Sequence, residues 1–348
     1  MKIIITTVQA PFITGGAEFH AQNLKKALLE NGYETEIVTM PFVDSPIDKI
    51  TDHIVASRLL EIENGWAGKT DLCIGLKFPA YCIPHSNKVI WALHQHRAAY
   101  DLFDTEYSNL KNDAEGIKMR EIIMNADNKY LGEAKKIFAN SLNVANRMKE
   151  YNNINATPLY HPCPDMEKFY CGNSEKYILM PSRINITKRQ FLAVEAMKYV
   201  KSDIKLYIVG KADNPYEKER LLKEIRKNHL EHKIKFFDYV EPQKKFELYA
   251  NARAVLFIPL DEDYGYITLE AMASSKAVIT AKDSGGPLEF VSDNETGFVA
   301  DADAKAIAEK IDLLAVESNT AKIMGTRAKD KLESMNISWQ NVVRELVK

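Results

Sequence analysis

The sequence predicts an α/β protein with two doubly wound domains, each a parallel sheet covered by helices. The chain has 348 residues, and this length suits two domains of roughly 150 to 190 residues rather than one hydrophobic core. Short β-branched segments alternate with amphipathic helical segments in both halves, which is the pattern of parallel sheets packed between helices. A proline-rich stretch separates the two alternations, so we expect the domain boundary there.

The first half begins with a strand, a turn and a helix. Residues 2–8 are rich in β-branched side chains and predict a strand, residues 14–16 (Thr-Gly-Gly) predict a turn, and residues 17–30 predict an amphipathic helix. The dipeptide Asn31-Gly32 is a typical helix end. Further strands are predicted at residues 34–39, 71–75, 88–93, 136–139 and 157–160, and further helices at 50–63, about 116–133 and 141–151.

The boundary is predicted at residues 161–164, whose sequence is His-Pro-Cys-Pro and which a polar segment follows. Proline interrupts helices and central strands, so such a stretch favours a linker. We therefore assign residues 1–163 to a first domain and residues 164–332 to a second. In the second domain, strands are predicted at 177–180, 205–209, 233–237, 254–258 and 277–280, helices at 188–200, 216–228, 242–251 and 269–275, and three helical segments without another strand from about 304 onward.

Composition and charge argue against several classes of protein. The formal net charge is −2, and acidic and basic residues are interspersed, so nothing favours nucleic acid as a partner. The four cysteines form no C-x-x-C pair, which fits reduced thiols in a cytoplasmic protein. The apolar start of the chain is shorter than a signal peptide core or a membrane span. We expect a cytoplasmic protein whose contact with the inner face of a membrane, if any, is peripheral, and nothing specifies an oligomeric state.

Two carboxylates lie eight residues apart where a loop becomes a helix. Glu262 falls on the loop after a buried strand, and Glu270 falls in the first turns of the following helix. In α/β units, ligands bind beyond the carboxyl ends of the strands, close to the free N–H groups of the next helix. Carboxylates accept hydrogen bonds from vicinal hydroxyls, so this pattern favours a ligand with diols and phosphate, such as a nucleotide sugar. Alternatively, these acidic residues only complement the helix dipole.

Two cations follow the first strand of the second domain. Arg183 offers paired donors and Lys188 a mobile point charge, and together they can neutralise a diphosphate. Stabilising a departing diphosphate is one way in which such charges accelerate group transfer. The alternative is that they are solvated loop residues.

Two glycine turns follow strands in the sequence. Gly15-Gly16 permits close approach of a ligand to the backbone, yet the segment matches neither the dinucleotide-binding nor the P-loop signature. The second turn, at residues 283–289, follows a strand in the second domain and has the alternative of a simple tight turn.

Two short patterns superficially resemble metal sites. His94 and His96 lie two apart after a strand, but no third ligand follows at metal spacing, so His94 is either structural or directed at a ligand. Asp261 and Asp263 have the spacing of a metal-binding motif of another class of sugar transferase, but their place in a second α/β domain argues against that use. We predict no metal.

The motifs occur in a characteristic order along the chain. They are Gly15-Gly16-Ala17-Glu18, His94, Arg183 with Lys188, Gly210, Glu262 with Glu270, Gly285-Gly286-Pro287-Leu288-Glu289 and Glu295-Thr296-Gly297-Phe298. This order resembles the family 4 glycosyltransferases, which have the GT-B fold. The resemblance covers essentially the whole chain, and its more specific motifs lie in the second half. It implies two Rossmann-like domains facing across a cleft and a C-terminal helix, at about 333–348, that returns to the first domain.

The resemblance also implies roles for these residues. Glu270 would hold the ribose of the donor, Glu262 would lie near the transferred sugar, and Arg183 and Lys188 would bind the diphosphate. The backbone of Gly265, Tyr266 and Ile267 would contact sugar and phosphate, with Gly210 also on the donor side. Gly15 and Gly16 would abut the diphosphate, and His94 would contact a hydroxyl of the transferred sugar.

This sequence departs from the family pattern at four positions. Asp263 and Tyr264 replace the usual glycine and phenylalanine, Ser182 replaces a glycine, and Ile267 stands where proline is frequent. These departures are mild for catalysis but leave the donor preference open.

The resemblance implies transfer of a hexose-type sugar from a nucleotide-diphosphate sugar, of UDP or GDP type, with retention of configuration and without a metal or another cofactor. The acceptor is expected to be a glycan or lipid-linked glycan, in surface polysaccharide or lipopolysaccharide assembly. His96, Arg97 and Tyr100 are the candidate acceptor contacts because they lie close to His94 in the sequence. The alternatives are a GT-B-like nucleotide-sugar epimerase, a phosphorylase, or a non-catalytic sugar-nucleotide binder.

Overall fold

The computed structural model describes residues 1–12 and 15–348. The chain divides into two compact units, Met1–Pro164 together with Ser338–Lys348, and Asp165–Ile337. The sequence placed the boundary after residue 163 and the return at about residue 333.

Strands and helices alternate along most of the chain. The strands are β1 Lys2–Gln9, β2 Glu34–Pro41, β3 Asn64–Gly65, β4 Gly68–Lys69, β5 Leu72–Gly75, β6 Lys88–Ala92, β7 Lys136–Ala139, β8 Thr157–Pro158, β9 Tyr177–Pro181, β10 Lys205–Val209, β11 Ile234–Phe237, β12 Ala254–Leu256, β13 Val278–Ala281 and β14 Gly297–Ala300. The α-helices are α1 Gly16–Glu30, α2 Lys49–Leu59, α3 Ala114–Leu131, α4 Leu142–Asn152, α5 Gln190–Ala196, α6 Pro215–Lys227, α7 Pro242–Asn251, α8 Tyr266–Ala273, α9 Pro287–Phe290, α10 Ala304–Val316, α11 Ser318–Ser334 and α12 Trp339–Val347.

The first unit contains a six-stranded parallel sheet in the order β2-β1-β5-β6-β7-β8. One face of its core joins β1 and α1 to α12, because Val342, Val343 and Leu346 of α12 are buried with Ile5 and Leu24. The last helix of the chain therefore completes the core of the first unit. The antiparallel hairpin of β3 and β4 was not predicted.

The second unit contains a six-stranded parallel sheet in the order β11-β10-β9-β12-β13-β14. The strand order reverses between β9 and β12, and in open α/β sheets ligands bind at the carboxyl ends of the strands at such a switch point. The sequence analysis missed β14, which pairs with β13. A Cβ at Gly297 would lie 2.0 Å from the Val278 carbonyl oxygen, so glycine permits this close pairing.

Three predicted boundaries differ in ways that affect the site. The helix predicted at 188–200 begins at Gln190 and ends at Ala196, after a 3₁₀ turn at Ile186–Lys188. The helix predicted at 269–275 begins earlier, at Tyr266, so Glu270 lies in its second turn. The turn predicted at residues 14–16 begins at Thr14, outside the described residues, and Gly16 already belongs to α1.

Candidate functional site

The loops that follow β9, β12 and β13 are tied together at the carboxyl edge of the sheet in the second unit. The Leu260 N–H donates to the Thr187 carbonyl at 2.7 Å, which connects the loop after β12 to the loop after β9. The Glu262 N–H donates to the Ser284 carbonyl at 2.9 Å, and the Gly286 N–H donates to the Glu262 carbonyl at 2.7 Å. Because these bonds are backbone bonds, they fix the positions from which the side chains of the site project.

Lys188 and Glu262 form an ion pair within this framework. The Lys188 ammonium donates to Oε2 of Glu262, and both side chains are partly buried. The ammonium also lies 5.8 Å from the centre of the Phe257 ring. Lys188 is predicted to bind the diphosphate and Glu262 to contact the sugar. The structure thus brings these two residues, 74 positions apart in the sequence, into direct contact.

Arg183 forms a different ion pair, because its Nη1 donates to Oδ1 of Asp213 at 2.8 Å. The Asn185 amide donates to the other oxygen of Asp213 at 2.6 Å, which fixes that carboxylate. The Arg183 side chain remains 59% exposed and is open to solvent. Asp213 follows β10, and sequence reasoning did not identify it.

Gly210 owes its identity to backbone packing. Its φ of 149° lies in the region that favours glycine, and a Cβ there would lie 2.0 Å from the Ser182 carbonyl oxygen. The Ser182 N–H in turn donates to the Val209 carbonyl at 2.9 Å. Glycine therefore lets the end of β10 pack directly against the loop after β9, which carries Arg183.

Gly265 directs the chain into α8. Its φ is 87°, and the Thr268 N–H donates to its carbonyl at 3.0 Å. The following residues, Tyr266 and Ile267, form the first turn of α8, and the first N–H groups of a helix point toward its N-terminal end. A helix terminus of this kind suits negative charge.

Glu270 is a buried carboxylate held by two residues of α7. The side chain is 5% exposed; its Oε1 accepts from the Lys245 ammonium and its Oε2 from the Tyr249 hydroxyl, each at 2.5 Å. A carboxylate oxygen can accept two hydrogen bonds, so each oxygen keeps an acceptor position for a diol.

The sequence analysis did not identify Lys245 and Tyr249 as site residues. Their spacing of four residues predicts only a shared face of α7, and only the packing of α7 against α8 shows that this face meets Glu270.

The glycine turn at residues 283–289 is tied to the same loops. Arg189 donates to both oxygens of Asp283, each at 2.7 Å, a bidentate pair that sequence reasoning missed. A Cβ at Gly286 would lie 2.7 Å from the Tyr264 carbonyl oxygen, so glycine is required for packing there.

The remaining predicted donor residues lie in the first unit. Gly15 precedes α1, and its N–H donates to the Glu18 carboxylate at 2.7 Å, so it caps the helix with an extended backbone. His94 follows β6, is partly buried, and has Nδ1 at 2.6 Å from the carbonyl oxygen of Gln95.

The three predicted acceptor contacts all have partners inside the first unit, and Tyr100 is the most deeply buried of them. It is 2% exposed, and its hydroxyl donates to Asp127 at 2.6 Å, while the Tyr81 hydroxyl donates to the other oxygen at 2.8 Å. Burial raises the pKa of Asp127 to about 7, and burial and then Asp127 raise the pKa of Tyr100. Tyr100 is therefore a core residue rather than an acceptor contact.

His96 and Arg97 are also engaged within the first unit. The His96 ring lies 5.9 Å from Phe42 and 5.6 Å from Phe78 between ring centres, and burial lowers its pKa to about 4. The Arg97 Nε donates to Asp101 at 2.9 Å. The prediction rested on closeness to His94 in the sequence, but the chain enters a 3₁₀ turn at Arg97–Ala99, just after His96.

Two negative findings concern the part of the chain that the structure describes. Within residues 1–12 and 15–348, no three His, Cys, Asp or Glu side chains cluster as metal ligands. None of the helices formed by these residues has both the length and the apolar character needed to cross a bilayer.

Comparison with known proteins shows which family and which fold the chain resembles. Residues 165–331, nearly all of the second unit, match the family model described as glycosyl transferases group 1. The alpha-1,3/1,6-mannosyltransferase ALG2 of Homo sapiens is 25% identical over 197 residues, which cover 53% of this chain and 47% of that protein. The chain thus spans about half the length of this curated relative. An uncharacterized glycosyltransferase of Methanocaldococcus jannaschii is 24% identical over 387 aligned positions that cover 100% of this chain and 97% of its own.

Among solved structures, the Anabaena protein HepE in complex with UDP-glucose superposes with a TM-score of 0.73 at 16% identity, covering 99% of this chain and 98% of its own. This likeness confirms the fold predicted from the sequence, α/β of the GT-B type. Together with the family model, the relatives support a glycosyltransferase.

Proposed function

We propose that the protein is a retaining glycosyltransferase that moves a hexose-type sugar from a nucleotide-diphosphate sugar to a hydroxyl acceptor. The observation that carries this proposal is the Lys188–Glu262 ion pair at the carboxyl edge of the second sheet, beside the switch point between β9 and β12. This edge is where doubly wound sheets bind nucleotides. The match of residues 165–331 to the group 1 model supports the same class.

In the proposed donor complex, the diphosphate binds Arg183 and Lys188, and the ribose diol binds Glu270. The first turn of α8, from Gly265 to Ile267, faces the phosphate, and Glu262 contacts the transferred sugar when Lys188 turns to the diphosphate. The donor is of UDP or GDP type, and the UDP-glucose found in HepE supports a nucleotide sugar. On the family resemblance alone, we assign Gly15, Gly16 and His94 to the same ligand and place Gly210 on the donor side. The packing of Gly210 against Ser182 supports a role for this glycine in positioning the Arg183 loop.

The proposed reaction occurs on one face of the sugar and needs no metal. The bond between the anomeric carbon and the diphosphate oxygen breaks, and the diphosphate leaves with the electron pair. The acceptor oxygen forms the new bond from the same side, and its proton passes to a diphosphate oxygen. Arg183 and Lys188 stabilise the departing charge. Retention of anomeric configuration follows from the shared face.

The proposed acceptor is a glycan or lipid-linked glycan in surface polysaccharide or lipopolysaccharide assembly. The proposed location is the cytoplasm, with peripheral contact at the inner face of the membrane. The relative ALG2 is an alpha-1,3/1,6-mannosyltransferase, which supports an acceptor of this class.

A panel of thermal-shift measurements tests the donor. UDP, GDP, ADP, CMP and dTDP, with their sugars, are added to the protein, and the correct nucleotide raises the melting temperature by mass action. The stabilising donor is then incubated with the protein in the presence of EDTA. Hydrolysis of the donor and transfer of its sugar are followed by NMR. No stabilisation by any nucleotide contradicts the donor assignment, inversion at the anomeric carbon contradicts retention, and loss of activity in EDTA contradicts a metal-independent reaction.

A further inference from the structure

A second group of cations lies at the opposite edge of the sheet in the second unit, where the strands begin. Arg253 immediately precedes β12, and Lys276 lies two residues before β13. Together with Lys322 of α11 they line a pocket of about 190 Å³. This volume is well above the roughly 10–15 Å³ that one water requires. None of the residues that line it belongs to the site at the carboxyl edge.

Lys276 is the most unusual member of this group. The residue as a whole is only 4% exposed. Its ammonium forms no ion pair or hydrogen bond with any other described residue. Burial lowers the pKa of Lys276, the neighbouring Cys171 raises it, and the charges of Lys322 and Arg253 lower it further. Lysines that serve only packing usually extend the ammonium into water. Lys276 has little access to water and its ammonium forms no ion pair, so an anion in this pocket would stabilise its charge.

Arg253 adds a second buried charge. It is 9% exposed; its Nε donates to the Ser174 hydroxyl at 2.7 Å and its Nη1 to the Ala315 carbonyl at 3.0 Å, at the end of α10. These acceptors are neutral, and Arg253 has no carboxylate partner among the described residues. The guanidinium is thus held in place by neutral acceptors, and its charge helps to lower the pKa of the Asp203 carboxyl without forming an ion pair with it.

The wall of the pocket is fixed by close packing. α11 crosses the segment before β13 so closely that a Cβ at Gly325 would lie 2.0 Å from the Ser275 carbonyl oxygen. The exposed Lys322 and Thr326 of α11 lie at the mouth, and Cys171 lines the opposite side. The pocket therefore combines three cations, a hydroxyl on a rigid helix, and an opening to solvent.

We propose that this pocket binds a small phosphate-bearing anion, either inorganic phosphate or a phosphomonoester, separately from the donor site. Arginine supplies planar paired donors and lysine a compact charge, which is the combination that binds phosphate in proteins. The site does not depend on the glycosyltransferase assignment, because none of its residues takes part in the proposed reaction.

The first experiment measures the melting temperature with inorganic phosphate against chloride at equal ionic strength. At a phosphate concentration ten times the dissociation constant, we expect a rise of about 2–4 °C in the wild type. Lys276→Met removes the buried ammonium and should abolish the rise. Lys198→Met removes an exposed charge elsewhere on the unit and should keep it. Should Lys276→Met fail to fold, Lys322→Met, at an exposed position, replaces it in the comparison.

The second experiment places the anion by its effect on Cys171, the exposed thiol of the pocket. Cys73, Cys82 and Cys163 are buried, so alkylation under native conditions reports on Cys171, and mass spectrometry follows its rate. Phosphate should slow alkylation of Cys171 at least threefold in the wild type and in Lys198→Met, and have no effect in Lys276→Met. Equal thermal shifts in all three proteins, or an unchanged alkylation rate, would overturn the proposal.

A third experiment distinguishes a soluble phosphate compound from a lipid headgroup. The same alkylation assay is run with glycerol phosphate and with phosphatidylcholine vesicles that contain phosphatidic acid. Protection by glycerol phosphate indicates a soluble metabolite, and protection by the vesicles alone indicates a lipid headgroup. Protection by neither, together with none by inorganic phosphate, contradicts a phosphate site.

Discussion

Lys188 and Glu262 compensate each other's charge, and the proposed reaction depends on this ion pair. A pair of this kind keeps a cation partly buried at the site without leaving it unpaired. When a diphosphate enters, the ammonium can exchange one anionic partner for another, which releases the Glu262 carboxylate for a sugar hydroxyl.

Lys188→Ala and Arg183→Ala should each lower turnover by about 10²-fold or more, the scale of removing one donor that stabilises developing charge. Turnover is measured with the donor identified by thermal shift. Lys198→Ala, which removes a similar charge outside the site, is the matched control and should behave as wild type. Wild-type turnover in either site variant would contradict the diphosphate assignment.

Tyr249 and Lys245 are expected to position Glu270 for the ribose. Tyr249→Phe removes one hydrogen bond to a buried carboxylate, so the donor KM should rise about tenfold or more while kcat changes little. In a Glu270→Gln background, the same substitution should have a much smaller effect because the charged acceptor is gone. A fall in kcat at constant KM would assign Tyr249 to the reaction step instead.

His96 couples the stability of the first unit to pH. Its folded-state pKa of about 4 lies below the ordinary value of 6.5, so the unfolded chain binds more protons between these values. The free energy of unfolding contributed by His96 therefore falls as the pH decreases from about 6.5 to 4, by at most about 1.4 kcal/mol per pH unit.

His96→Phe should remove this dependence, because Phe42 and Phe78 provide an apolar environment. Urea unfolding of the variant and the wild type at matched pH values cancels the other titrating groups, including Asp127, whose raised pKa acts in the opposite direction. A difference between the two proteins that stays constant from pH 7 to pH 4 would disagree with a neutral, buried histidine.

At the scale of secondary structure, the strands of both sheets follow from β-branched runs and turn residues, and most predicted bounds lie within a few residues of those observed. The elements that the sequence analysis missed or misplaced have a common cause. β14 is four residues long and begins with glycine, so it carries little local signal and exists through its pairing with β13. The early start of α8 likewise depends on the positive φ of Gly265, which the sequence pattern did not reveal.

Gly210→Ala tests the packing of β10 against the loop after β9. The new Cβ would meet the Ser182 carbonyl at 2.0 Å at a φ of 149°, so we expect destabilisation of about 2–3 kcal/mol or more. Gly132→Ala is the matched control, because Gly132 has a φ of −64° and a Cβ there meets nothing closer than 3.4 Å. The control should be neutral or stabilising by about 0.4–1 kcal/mol. Urea unfolding measures both, and equal midpoints would contradict the packing argument.

At the scale of the whole molecule, the two units are formed differently by the chain. The second unit is continuous from Asp165 to Ile337, whereas the first unit also takes α12 from the C-terminal end. The first unit therefore cannot complete its core until α12 has been synthesised.

Leu346→Ala should destabilise the first unit by about 2–5 kcal/mol, because Leu346 is buried in its core. Hydrogen exchange followed by mass spectrometry should show faster exchange in peptides of β1 and α1, with little change in peptides of β9 and β12. Leu313→Ala, at an exposed position of α10, is the control and should leave both sets unchanged. Equal acceleration in both units would show that α12 does not act specifically on the first.

The sequence by itself determined the fold class and the division into two α/β domains, and it predicted the residues of the donor side, because periodicity, glycine turns and charged residues after strands are local signals. Only the tertiary structure decided which of these residues meet. It paired Lys188 with Glu262, gave Glu270 its partners on α7, buried Tyr100, and packed His96 against Phe42 and Phe78. Contacts between side chains far apart in the sequence depend on how sheets and helices pack, and no local pattern encodes that geometry.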